Sequence, residues 1–104
     1  MHERVLIIGA GIGGLCTALA LAPTGRDIVI LERDPAPPRG DADHAFSDWT
    51  RRGVGHLRHS HAFLARLRTI IRNEHPELHA DLLAAGCREL GFDRMLTDLH
   101  RLDY

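Results

Sequence analysis

A surplus of charge of either sign is missing from this sequence: thirteen Lys and Arg stand against fourteen Asp and Glu, for a net charge of −1 over 104 residues. Aromatic residues make up only 5%. Without a basic stripe or an aromatic run there is neither a track for a phosphate backbone nor a stacking platform, so no nucleic-acid partner is expected. Cysteine is as scarce. Cys16 and Cys87 lie far apart and neither belongs to a CxxC pair, so buried free thiols in a reducing cytoplasm are expected. A chain of this length has room for one modest core, burying about two-thirds of the surface exposed by the unfolded chain.

Long apolar runs are absent but for one, VLIIGAGIGGLCTALALA at residues 5–22. Its length approaches that of a membrane span, and its small-residue end resembles a signal cleavage site. Two features oppose both readings. Gly9, Gly11, Gly13 and Gly14 interrupt the run, and each costs about 1 kcal/mol relative to Ala in a helix interior. The flank MHER pairs Glu3 with Arg4, where a signal needs a basic start. No membrane span is therefore expected.

A strand, turn and helix give every residue of the run a role. Val5-Leu6-Ile7-Ile8 is a short apolar run of the kind found in parallel strands. Gly9-Ala10-Gly11-Ile12-Gly13-Gly14 then fits GxGxxG. In that motif the first glycine makes the tight turn, the second admits a pyrophosphate to the backbone, and the third lets helix and strand pack closely. The helix from Leu15 to Ala22 offers its N-terminal amides and positive dipole end to the phosphates, and Pro23-Thr24-Gly25 stops it. DIVILERD follows as a second apolar strand ending in Glu32, near the position, about 20 residues on, where a carboxylate accepts hydrogen bonds from an adenosine ribose. Glu32 argues against a 2′-phosphate, which would bring two negative groups together, with Arg33 next door as a partial offset. Between NAD and FAD this motif is neutral.

Beyond Arg33 the Pro-rich stretch RDPAPPRGDADHAFSDWTRRG reads as an extended loop. Arg51, Arg52, Arg58 and Arg39 add positive charge there, either near a pyrophosphate or simply solvated. SHAFLARLRTIIR carries Phe63, Leu64, Leu67, Ile70 and Ile71 on one helical face, with Ser60 as N-cap. A second helix is expected from Pro76, with Leu78, Leu82 and Leu83 inward and Gly86 as its stop. CREL, from Cys87, is a candidate strand start. His56, His59 and His61 form HxxHxH, a density that could hold zinc. Their spacing does not put all three on one face and no nearby Cys or carboxylate completes a set, so no metal is expected.

Taken together, GAGIGGL, VILERD and RRGVGHLRHSHAFLARLRTIIRNEHPELHADLLAAGCREL resemble the N-terminal part of FAD-dependent monooxygenases and oxidoreductases of the p-hydroxybenzoate hydroxylase-like class. More narrowly they are similar to a bacterial epoxidase and hydroxylase branch in which the loop closes with G-V-P-Q-x-R-H-x-H. Here Gly55 replaces the Pro and His56 the Gln of that stretch. The resemblance implies an α/β fold, a Rossmann-like βαβ FAD/NAD(P)-binding unit that is the incomplete N-terminal portion of a larger domain. It divides the chain into a βαβ unit over residues 1–34, a loop over 35–59, a helical pair over 60–86 and the start of a further segment over 87–104. It implies FAD as cofactor, with Gly9, Gly11, Gly13 and Gly14 at the pyrophosphate, Glu32 at the ribose, Arg33 beside it, and Arg58 on the pyrophosphate or flavin side.

By the same resemblance the full-length enzyme transfers one oxygen atom of O₂ to a small organic substrate, hydroxylating or epoxidising it, with NAD(P)H supplying electrons. Members are much longer, and their second flavin-contact motif and substrate-covering sheet lie beyond this sequence. The chain alone is therefore expected to be inactive, truncated from a partner C-terminal part, and no catalytic residue is assigned. The alternative is a non-catalytic nucleotide- or partner-binding module derived from such an enzyme.

Overall fold

The computed structural model describes residues 3–91, so the later part of the segment expected over 87–104 lies outside the described residues. The elements are β1 (Arg4–Ile8), α1 (Ile12–Leu21), β2 (Asp27–Leu31), α2 (Ala42–Asp48), α3 (Ala65–Glu74) and α4 (Pro76–Ala84). They fall into two compact units, one ending at Ser60 and one beginning at His61.

In the first unit the apolar run has become strand, turn and helix, and β1 pairs with β2 in parallel, Val5 opposite Ile28 and Ile8 opposite Leu31. Parallel neighbours need a crossover, and α1 supplies it. A 3-10 turn over Ala22–Thr24 ends the helix before β2. The architecture is thus α/β and βαβ, as the sequence pattern indicates. No helix among the described residues is long and apolar enough to cross a membrane.

The strands alternate in exposure. Val5, Ile7, Ile28 and Ile30 are half-buried, while Leu6, Ile8, Val29 and Leu31 face outward at 41–75% exposure. Ile7 packs toward α1, since a Cβ placed on Gly14 would stand 3.3 Å from its Cγ2. No described residue belongs to a fully buried core. The expectation of buried thiols fails for the same reason: Cys16 and Cys87 are free, but Cys16 is half-buried and Cys87 exposed.

The stretch after Arg33 is not wholly extended. Asp41 accepts the His44 amide at 3.0 Å as N-cap and Asp43 stands in the first turn of α2, so local capping and the dipole support a short helix inside a Pro-rich segment. The indole Nε1 of Trp49 donates to the Pro35 carbonyl at 2.9 Å and pins the segment's two ends together.

The second unit is a helical pair. α3 begins at Ala65 with Leu64 rather than Ser60 as N-cap. Phe63 and Leu64, 57% and 84% exposed, stay outside the helix, because apolar periodicity continued across residues that have no cap to start them. α4 begins at Pro76 as expected. At its end the Gly86 amide donates to Leu83 at 3.1 Å and the Cys87 amide to Leu82 at 3.0 Å, the paired bonds of a Schellman stop. Residues 87–90 pair with no strand among the described residues. Instead Glu89 Oε1 accepts from Arg68 Nε on α3 at 2.7 Å and lies 2.8 Å from His79 Nε2 on α4.

Candidate functional site: a glycine turn and a carboxylate at the strand ends

Where β1 and β2 end, the first unit opens into a cavity of about 370 Å³ lined by Ile8, Gly9, Gly11, Leu31, Glu32, Arg33, Asp34, Arg51, Gly53 and Val54. Ligands of open α/β sheets bind at this place, outside the carboxyl ends of parallel strands.

The four glycines of the turn divide by what the fold asks of them. Gly9 has φ +104°, a conformation that disfavours any side chain. A Cβ at Gly14 would collide with the Gly9 carbonyl oxygen, so the close approach of α1 to the end of β1 depends on its absence. Neither demand exists at Gly11. Its φ of −80° and ψ of −175° are ordinary extended values, and nothing lies within 4 Å of a Cβ placed there. Gly13 likewise has open space around such an atom. Their lack of side chains leaves free room at the N-terminus of α1, where amides without helical partners face outward.

The turn is tied to β2 by two amides. Gly9 donates to the Leu31 carbonyl at 2.7 Å and Ala10 to Glu32 Oε1 at 2.8 Å. Glu32 Oε2 accepts from the Asp34 amide at 2.7 Å, and Arg51 Nη2 lies 3.3 Å from Oε1. The Ala10 and Asp34 amides, with the Arg51 charge behind them, hold the Glu32 carboxyl below its ordinary range. Three donors occupy part of its acceptor capacity, and a carboxylate has about four acceptor positions. Glu32 therefore stays ionised at neutral pH with capacity left on a side chain that is 25% exposed.

Asp34 and Arg51 complete the wall. Asp34 Oδ2 accepts from the Gly53 amide at 3.0 Å and from Arg51 Nε at 3.2 Å. The two side chains are only 5% and 8% exposed. The Gly53 amide and the Arg51 guanidinium, with the Arg33 charge added, hold the Asp34 carboxyl below its usual value. The Arg51 guanidinium also lies over the Trp49 ring, 4.7 Å from its centroid, a cation–π contact.

Of the residues singled out in the sequence, Gly9, Gly11, Glu32, Arg33 and, from the loop arginines, Arg51 line this cavity together. Gly13 and Gly14 belong to the first turn of α1 beside it. Arg58 is placed elsewhere in the unit: its Nε donates to the Phe46 carbonyl at 2.7 Å and its Nη2 to those of Ser47 and Trp49 at 3.2 and 3.4 Å. It thereby closes the C-terminal end of α2, where cations are favoured. No group of three or more His, Cys, Asp or Glu suited to a metal ion occurs among the described residues.

Asp34 and Gly53 are the wall residues that the sequence did not single out, and it offered Arg51 only as loop charge, near a pyrophosphate or solvated. Their contacts span seventeen and nineteen positions, across a segment whose composition suggested only a loop. The available signal was the position of Asp34, two residues after the ribose-type acid.

The family model for FAD-dependent oxidoreductases matches residues 4–101. The chain is 54% identical over 35 residues to 3-hydroxybenzoate 6-hydroxylase 1 of Aquipseudomonas alcaligenes, covering 34% of this chain and 9% of that protein. It is 36% identical over 88 residues to a flavin-dependent halogenase of Aspergillus niger, covering 85% of this chain and 18% of the halogenase. A 6-hydroxy-3-succinoylpyridine 3-monooxygenase of Pseudomonas putida is 49% identical over 37 residues, 36% of this chain and 9% of its own length. The chain thus spans less than a fifth of the length of these relatives. No solved structure matches it. A strand–glycine turn–helix crossover, an ionised carboxylate at the second strand's end and a family match over nearly the whole length lead to one conclusion: the chain belongs to the FAD-dependent oxidoreductase family.

Proposed function

We propose that residues 1–60 form the adenosine-diphosphate end of an FAD site, the N-terminal portion of a flavin-dependent monooxygenase. The observation that carries this reading is Gly11. Nothing in the fold requires glycine there, whereas a pyrophosphate approaching the backbone does. The FAD adenosine half fits the residues present: an open turn for phosphates, outward amides of α1, and an ionised carboxylate for ribose hydroxyls.

In this reading Gly11 and Gly13 leave the room, Gly9 and Gly14 shape the turn, and the amides at the start of α1 donate to the pyrophosphate. Glu32 accepts the ribose hydroxyls while its bond to Ala10 keeps the turn in register with β2. Arg33 supports the charge of the wall. Arg58 reaches the cofactor only by exchanging the carbonyls of α2 for it. FAD, when bound, supplies the redox chemistry, and the protein's part is to hold and orient it. The hydroxylation or epoxidation of a small organic substrate, with NAD(P)H as electron donor, belongs to the whole enzyme and to a C-terminal part that completes the site.

The test is gel filtration after incubation with FAD, with visible absorption recorded on the protein peak for wild type and Glu32→Ala. Flavin that co-elutes with wild type and is lost from the variant supports the site. Flavin retained equally by both refutes the assignment of Glu32.

A further inference from the structure

A guanidinium beside a carboxylate ordinarily takes it in a fork, two parallel N–H···O bonds. Arg68 does so in the second unit, reaching the two oxygens of Glu89 at 2.7 and 2.9 Å. Arg51 divides its nitrogens between two acids instead: Nε lies 3.2 Å from Asp34 Oδ2 and Nη2 3.3 Å from Glu32 Oε1. Its side chain is only 8% exposed, so its surroundings rather than solvent set this placement. Against its plane stands Trp49, with the ring centroid 4.7 Å from Arg51 Cζ.

Trp49 is itself fixed by three hydrogen bonds. Its indole Nε1 donates to the Pro35 carbonyl at 2.9 Å, its amide donates to the Ala45 carbonyl at 3.1 Å, and its carbonyl accepts from Arg58 Nη2 at 3.4 Å. The ring is thereby tied to the start of the Pro-rich segment, to α2 and to Arg58. None of these partners lines the cavity, so the ring's place is set from outside the site.

Resting on the adenosine reading above, we infer that Trp49 is a positioning residue for the cavity, acting through Arg51. The ring is a platform that holds the guanidinium plane across both acids. Held so, Arg51 balances two carboxylates and Glu32 keeps acceptor capacity open to the cavity. Without the ring the guanidinium is free to turn and fork Glu32 as Arg68 forks Glu89, which closes that capacity. Stacking of arginine on an aromatic face gains strength where the guanidinium is shielded from water, as Arg51 is.

The test is a cycle of variants read by calorimetric titration of the chain with ADP, with circular dichroism as the check on folding. Trp49→Leu removes the ring. Trp49→Phe keeps a ring face and loses the indole N–H, whose bond to Pro35 is exposed, so water can replace it. Arg51→Met removes the group on which the ring acts.

Trp49→Leu should weaken ADP binding by about fivefold or more, and Trp49→Phe by less than about twofold. Arg51→Met should also weaken it by about fivefold or more, since two acids are left unbalanced beside an anionic ligand, and Trp49→Leu added to Arg51→Met should cost less than about twofold further. Equal losses from Trp49→Leu with and without Arg51 overturn the inference. So does a Phe variant as weak as the Leu variant, because the ring face is then not what matters. If Trp49→Leu does not fold, the other two variants decide: binding kept by Trp49→Phe and weakened by Arg51→Met supports the inference, and any other pattern overturns it. Failure of wild type to bind ADP refutes the adenosine reading itself and the inference with it, a result distinct from additive losses.

Discussion

Two arginine–carboxylate clusters in this chain invite comparison. In the first unit Arg51 bridges Glu32 and Asp34 at 3.3 and 3.2 Å. In the second, Arg68 grips Glu89 with Nε at 2.7 Å and Nη2 at 2.9 Å, and His79 adds a contact of 2.8 Å. By bond length the second is the tighter, and its carboxyl is held down to about 2 by the Arg68 and His79 hydrogen bonds. Yet it spends its donors and acceptors tying α3, α4 and residue 89 together. The first borders an open turn and keeps carboxylate capacity in reserve. Strength of an ion pair is therefore not the mark of a site; unspent capacity beside free space is.

Substitutions tell the two clusters apart. The largest effect should come from Gly14→Val, because its Cβ would collide with the Gly9 carbonyl and force α1 away from β1. Loss of the first unit's cooperative melting transition by circular dichroism is the expected outcome. Next, Glu32→Ala should weaken ADP binding by about ten- to a hundredfold through loss of charge-assisted hydrogen bonds, while Glu89→Ala should change it by less than about twofold. Equal losses in both would erase the distinction between the clusters.

The smallest effect concerns pH. Glu89→Gln should lower the melting temperature at pH 7 by about 1–4 °C, as befits an exposed pair. Because the folded Glu89 titrates near 2 against an ordinary value of 4.5, its contribution is present above that ordinary value and is lost as pH falls from about 4.5 toward 2. Wild type and Glu89→Gln should accordingly converge over that window. A gap that persists at pH 2 would show that the amide disturbs packing rather than charge.

Much of the site's framework was legible in the sequence because its signals are local. Val5 to Ile8 and Ile28 to Leu31 announce strands by composition, Gly9 to Gly14 by fixed spacing, and Glu32 by its place at the end of the second strand. The clasp of Asp34, Arg51 and Gly53 was not legible, since it joins residues seventeen and nineteen positions apart through a segment that periodicity does not describe. The helix over Ala42–Asp48 escaped for a related reason: its support comes from one capping acid, Asp41, rather than from an apolar face. At α3 the error ran the other way. An apolar pattern extended the helix back to Phe63, although the backbone turns helical only after Leu64.

In the proposed site glycine at position 11 serves a ligand and not the fold. Calorimetric titration of the chain with ADP, wild type against Gly11→Val, tests it most directly when paired with a melting curve for each. Space around a Cβ at this position predicts near-equal melting temperatures, and a branched side chain in the pyrophosphate's path predicts loss of ADP binding in the variant alone. ADP bound equally well by Gly11→Val would refute a ligand-serving role for Gly11.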